Sequence, residues 1–135
     1  MANFRLEIVT PSGKIYSNDV EFVLVRTTEG DMGILANHSP FVAGLAVGEM
    51  IVREEKGKEI PYYVSGGFLE INSNKVIVLV DEAMLASEID LENARKEAAF
   101  AEEKLKKLTE DKNIILTQKS LHEALVKVSI AEKLL

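Results

Sequence analysis

The chain has 135 residues, enough for one domain plus an appendage, and at that length roughly two thirds of the unfolded surface is buried on folding. Hydrophobic residues make up 47% and charged residues 28%, which excludes disorder, and the absence of cysteine excludes disulfides, thiolate zinc and a cysteine nucleophile. A net charge of −6 argues against a nucleic-acid binder, which needs a basic face to displace counterions.

The first part of the chain alternates with period two. Phe4, Leu6 and Ile8 alternate with Asn3, Arg5 and Glu7. Val20, Phe22 and Leu24 alternate with Glu21, Val23 and Val25, so this strand is expected to be covered on both faces. The same expectation holds for Val76, Val78 and Val80 with Ile77 and Leu79. Turn signals punctuate the runs at Pro11-Ser12-Gly13, Glu29-Gly30-Asp31, Lys56-Gly57-Lys58 and Asn72-Ser73-Asn74. Many short strands with no helix between them predict an antiparallel sandwich or flattened barrel over residues 1–86, without parallel pairing. Gly66-Gly67 lacks the following lysine and hydroxyl of a phosphate loop and is expected to be a bulge or tight strand crossing.

From Ser87 onward the period becomes helical, which assigns residues 87–135 to a helical hairpin. Leu91, Ala94, Ala98, Ala101, Leu105 and Leu108 form one seam, with Ser87 as the expected cap. Thr109–Asn113 is polar and breaks the pattern; Leu121, Ala124, Val128, Ala131 and Leu135 form a second seam. Two helices joined by a short turn make an antiparallel hairpin. Its alanine-rich seam buries little area, so a weakly held hairpin is expected. The tail is the more basic part: nine basic and ten acidic residues from Glu88 onward give −1, leaving −5 for the first 87 positions. No basic segment precedes an apolar one at the start, so no signal peptide is expected. The longest aliphatic run, Val76–Val80, falls far short of the ~20 residues that cross a bilayer, so membrane association is expected only through partners.

Catalysis finds no support in the residues. The two histidines are His38 and His122, no Ser-His-Asp spacing stands out, and no histidine pair has the i, i+4 spacing of a metal site. Seam periodicity alone permits a stand-alone ligand-binding sandwich with a dimerising hairpin.

The segment Glu29-Gly30-Asp31-Met32-Gly33-Ile34-Leu35, followed by Asn37-His38-Ser39-Pro40, resembles the signature loop of the ε subunits of bacterial F-type rotary ATP synthases. Leu6–Pro11, Gly48–Val52, Val64–Ile71 and Asn74–Asp81 are similar to further blocks of that family, in the same order and spacing. The resemblance implies a non-catalytic rotor subunit of the central stalk, bound to the γ subunit and the membrane c ring at the cytoplasmic face of the inner membrane. It implies that Glu29, Asp31 and Met32 face the c ring, and that His38, Ser39, Pro40, Phe41 and Val42 face γ. It also implies a hairpin that extends to the catalytic α and β subunits and inhibits ATP hydrolysis, with Lys119, Lys127 and Lys133 meeting an acidic segment of β. Some members hold ATP on the hairpin as a regulatory ligand. Two registers match imperfectly here: Leu91–Lys96 keeps the spacing to Arg95 but has Glu92 for aspartate and Lys96 for alanine, whereas Ile89-Asp90 keeps the aspartate but leaves Arg95 two positions late; the aligned positions of the second helix are Lys127 and Glu123, of which the glutamate would repel phosphate. No cofactor, catalytic residue or metal is implied.

Overall fold

The computed structural model describes residues 2–107 and 111–135. The chain divides into two compact units, Met1–Leu85 and Ala86–Leu135. The first contains ten strands: β1 (Phe4–Thr10), β2 (Gly13–Val20), β3 (Phe22–Thr27), β4 (Gly30–Leu35), β5 (Phe41–Leu45), β6 (Gly48–Arg53), β7 (Glu59–Val64), β8 (Gly67–Asn72), β9 (Lys75–Val80) and β10 (Ala83–Leu85). They are hydrogen-bonded in the order β10-β7-β6-β3-β5-β8-β9-β1-β2, and β4 pairs with β3. This curled sheet encloses a core that includes Leu6, Ile8, Val23, Val25, Ile34, Met50, Leu69 and Val78.

Two expectations are corrected here. The sheet is not wholly antiparallel: β1 runs parallel to β9, with Leu6 opposite Val76 and Ile8 opposite Val78. The connection between them is the whole intervening meander, so no crossover helix announces the pairing. The strands apolar on both faces are also not buried on both. In β9, Val76, Val78 and Val80 are buried, Ile77 is half-buried and Leu79 is exposed. In β3, Val23 and Val25 are buried while Phe22 and Leu24 are half-buried. The curled sheet has one interior, and side chains of successive residues point to opposite faces.

The glycine pair marks a close crossing of β8 with its neighbours. Gly67 lies at φ +149°, and a Cβ there would sit 2.0 Å from the Leu79 carbonyl oxygen. Gly66, at φ +104°, would place a Cβ 3.1 Å from the Leu45 carbonyl. Backbone cannot yield at such contacts as a flexible side chain can.

The second unit opens with a short 3₁₀ turn at Ala86–Glu88, then α1 (Leu91–Leu105) and α2 (Asp111–Glu132). Asp90, not Ser87, caps α1: its carboxylate accepts from the Asn93 N–H at 3.0 Å. Ser87 is taken up by the 3₁₀ turn. Ala94, Ala98 and Ala101 are buried along α1, and Ala124 and Ala131 along α2. The seams also use Thr117 and Ile130, which are buried, whereas Leu135 is exposed beyond the end of α2. Helix α2 includes residues 111–113 of the expected break; Leu108, Thr109 and Glu110 lie outside the described residues. The helices are antiparallel. Arg95 near the start of α1 pairs with Glu132 at the end of α2, with Nη2 3.9 Å from Oε1.

Gly67→Ala is expected to destabilise the strand unit by at least about 2 kcal/mol, because both a steric clash and a disfavoured backbone conformation oppose the methyl. Gly30→Ala, at φ +123° with nothing within 4 Å of the added carbon, is the comparison. Urea midpoints that fall equally in the two variants would remove the crossing as the cause.

Candidate functional site

The hairpin of β3 and β4 ends in a charged tip held by its own side chains. Thr27 Oγ1 donates to the Gly30 carbonyl at 2.6 Å and accepts from the Glu29 N–H at 3.1 Å. The base of the hairpin is tied to the neighbouring strand segment, since Thr28 N–H donates to Gly44 O and Ala46 N–H to Arg26 O, both at 3.0 Å. Asp31 accepts from Arg26 Nε at 3.0 Å, so part of its charge is balanced within the hairpin. Glu29 is exposed and has no ion-pair partner among the described residues, so it carries the net charge of the tip.

Met32 is separated from these acids by the alternation of β4. It is half-buried and packs against the core, on the side of Ile34 and opposite Asp31. Gly33 lies beneath the Phe22 ring, 2.9 Å from where its Cβ would be, and the Arg53 guanidinium covers the same ring at 4.8 Å. That stack holds β4 against β3.

The loop after β4 carries His38, Ser39 and Pro40. His38 is half-buried and turned into its own loop: Nδ1 lies 2.8 Å from the Ser39 carbonyl, which assigns the proton to Nδ1. Its ring is 6.3 Å from that of Phe41 at a tilt of 58°. Phe41 and Val42 open β5 and point to opposite faces. Phe41 is paired with buried Ile71, and Val42 with exposed Glu70.

Val42 belongs to an apolar face that the sequence expectations missed. Phe68 pairs with Leu79 across β8 and β9, Leu79 pairs with Val9 on β1, and Val42 is the diagonal neighbour of Phe68. Val42 is 65% exposed, Phe68 62% and Leu79 48%. Three large apolar side chains thus stand in water on one sheet face, with half-buried Val9 and Ile77 beside them and the exposed carboxylate of Glu70 between Val42 and Ile77. The signal was present in the doubled apolar pattern of β9, which was assigned to burial rather than to an outward surface.

The same face turns polar toward β2. Glu7 is held by Lys14 Nζ at 2.9 Å and Lys75 Nζ at 3.3 Å, and Arg5 pairs with Asp19 at 3.4 Å. The hydrogen bond from Lys14 is the largest influence on the Glu7 carboxyl; with Lys75 it outweighs partial desolvation and holds the group below the ordinary carboxylate value. On the other side of β2, Tyr16 donates to Glu54 at 2.5 Å. Burial first, and that bond second, push the Tyr16 hydroxyl well above its ordinary value.

The hairpin residues considered for nucleotide contact are each engaged elsewhere. Asp90 caps α1, Glu92 pairs with Lys96 at 3.5 Å, and Arg95 pairs with Glu132. Lys127 is half-buried, while Lys119 and Lys133 are exposed. Phe100 (71% exposed) and Ile115 (63%) stand off the seam, and Leu116 and Leu125 are exposed as well. A shallow pocket between the helices is lined by Glu97, Phe100, Ala101, Lys104, Thr117 and Ser120. Among the described residues no group of acids and histidines could hold a metal ion. No helix there is long and apolar enough to cross a membrane.

Comparison with known proteins agrees with this arrangement. Residues 3–86 match the model of the β-sandwich domain of the ATP synthase delta/epsilon chain, and residues 87–132 match that of its long α-helix domain. The sodium-ion-specific ATP synthase epsilon chain of Propionigenium modestum is 57% identical over 133 residues, covering 98% of this chain and 96% of that protein. The epsilon chain of Pelotomaculum thermopropionicum is 46% identical over 105 residues, 78% of each. A chain in the Euglena gracilis mitochondrial ATP synthase, solved as an OSCP/F1/c-ring assembly, superposes with a TM-score of 0.83 at 31% identity, covering 93% of this chain and 79% of that one. A chain from the central stalk and c ring of the Tetrahymena thermophila enzyme shares the fold, with a TM-score of 0.71 at 14% identity, covering 94% of this chain and 95% of that one. With both family models and both units accounted for, the chain belongs to the ATP synthase epsilon-chain family, as a non-catalytic subunit of the F-type enzyme.

Proposed function

We propose that the strand unit is a rotor adaptor: it binds the γ subunit through the Val42–Phe68–Leu79 face and the His38–Phe41 loop, and meets the c ring with the Glu29–Asp31 tip. The exposed apolar face is the observation that carries this. Three large side chains left in water across adjacent strands are what a protein partner covers. An apolar centre at Phe68 and Leu79, bordered by Glu70 on one side and by the ion pairs of Glu7 and Arg5 on the other, has the anatomy of an interface core with a polar rim. The c-ring contact is of another kind. Glu29 offers a charge for basic loop residues, and Asp31 is partly neutralised before contact. The chain is then held at the cytoplasmic face of the inner membrane through these partners.

The helical unit regulates. The buried residues of α1 are all alanines, each worth about 0.8 kcal/mol of burial against roughly 1.5–3 for a large side chain such as Ile130 of α2. A hairpin held so lightly lies within a few kcal/mol of an extended state that reaches the α and β subunits. Phe100, Ile115 and Leu116 supply apolar contact there, and Lys119, Lys127 and Lys133 supply charge for an acidic segment of β. ATP is left out of this mechanism, because Asp90 and Arg95 already have other partners. The sodium-ion-specific name of the 57%-identical relative favours sodium as the coupling ion of the enzyme this chain serves.

Phe68→Glu should weaken binding to γ about 100-fold, in line with a hot-spot loss of about 2.7 kcal/mol, and leave the urea midpoint near that of the parent. Unchanged affinity would move the γ contact off this face. Added back to an ε-depleted catalytic sector, the full chain should slow ATP hydrolysis, and a chain ending at Ala86 should bind without slowing it. Reversing Lys119 and Lys127 to Glu should relieve the inhibition. Equal hydrolysis with the full and shortened chains would reduce the hairpin to a passive appendage. In the assembled enzyme, added NaCl should activate hydrolysis where KCl does not, and indifference to sodium would point to protons.

A further inference from the structure

We propose that Asn74 is the positioning residue of the His38–Phe41 docking loop, acting from the β8–β9 turn through the Asn37 backbone; this rests on that loop being part of the γ contact. The β8–β9 hairpin closes at the Asn72–Lys75 pair with two residues between, Ser73 at φ 52° and Asn74 at φ 59°. Two positive φ values in a two-residue hairpin loop are the mark of a type I′ turn, whose second place best suits glycine. Here it holds asparagine, which tolerates the left-handed conformation at some cost. The side chain has work there that glycine could not do. Its Oδ1 accepts the Asn37 N–H at 2.7 Å, and its Nδ2 donates to the Asn3 carbonyl at 2.9 Å. The Asn74 carbonyl accepts the Arg5 N–H at 3.2 Å.

One residue therefore joins three separate segments: the start of β1, the β8–β9 turn and the loop between β4 and β5. Asn37 is itself held at φ 63°, directly before His38. Among the described residues, no other hydrogen bond ties residues 36–40 to a different segment. Without the clamp, the loop must be ordered when the partner binds, and that ordering is charged against affinity.

Asn74→Gly separates the two roles, since glycine keeps the turn and removes both side-chain bonds. The urea midpoint of this variant should stay near that of the parent, amide exchange at Asn37 and His38 should quicken, and affinity for γ should fall about tenfold. Asn74→Asp keeps an acceptor for Asn37 while losing the donor to Asn3, and should retain slow exchange at Asn37 and most of the affinity. Parental affinity in Asn74→Gly despite faster exchange would overturn the positioning role alone, as would unchanged exchange. A parent chain with no affinity for γ would overturn the docking function, and this role with it.

Discussion

A curled sheet of ten short strands has one interior, and each strand turns only one face toward it. Most of this chain's strands obey that limit with polar outward residues, as β1 does with Arg5 and Glu7 against Phe4, Leu6 and Ile8. Strand β3 exceeds it with half-buried Phe22 and Leu24, and β5, β8 and β9 exceed it further. Once Leu69, Val76 and Val78 have filled the core, Val42, Phe68 and Leu79 remain outside with nowhere in the sheet to go. Each costs hydration free energy that the strand unit does not itself recover. The surplus fits the proposed docking face, from which a partner would remove that area from water. The face is regular because the pairing that builds the sheet also sets Phe68 beside Leu79.

The close crossing at Gly67 serves that arrangement. A methyl at this position would strike the Leu79 carbonyl, so β8 and β9 approach as they do only because glycine stands there. The adjacent residues in each strand, Phe68 and Leu79, are the centre of the apolar face. What is spent in backbone freedom at Gly66 and Gly67 fixes the spacing of the exposed side chains. Asn74 does the same at the other end of the same hairpin, by fixing a loop in place of a strand.

The local elements were legible in the sequence because they follow from neighbours. Alternation located the strands around Leu6, Val23 and Val78, and the step of three and four located both helices. What was not legible depends on distant partners. The parallel pairing of β1 with β9 arises when the sheet curls, and no residue near Leu6 encodes it. Asp90 displaced Ser87 as the cap because the chain first makes a 3₁₀ turn at Ala86–Glu88, which moves the helix start by a turn that propensity does not resolve. The tip was found as a motif, but the alternation of β4 sends Met32 to the core side and Asp31 outward, a division that family resemblance does not make. Asn74 was visible only as a turn residue, since its partners lie 37 and 71 positions away.

The two surfaces proposed for the strand unit differ in physical character, and that difference suits a rotor. An apolar face loses little attraction in salt, because its driving force is removal of area from water. A charged tip is screened over about 8 Å at physiological ionic strength. The proposed contact with γ is of the first kind. The proposed contact with the c ring is of the second, where Arg26 already tempers Asp31 and leaves Glu29 as the net charge. The helical unit follows a third rule. In the proposed switching role it leaves its own seam, and alanine contacts provide order without deep burial energy. In the proposed function, attachment, steering and switching are carried by apolar area, exposed charge and weak packing respectively, each drawn from a separate stretch of one short chain.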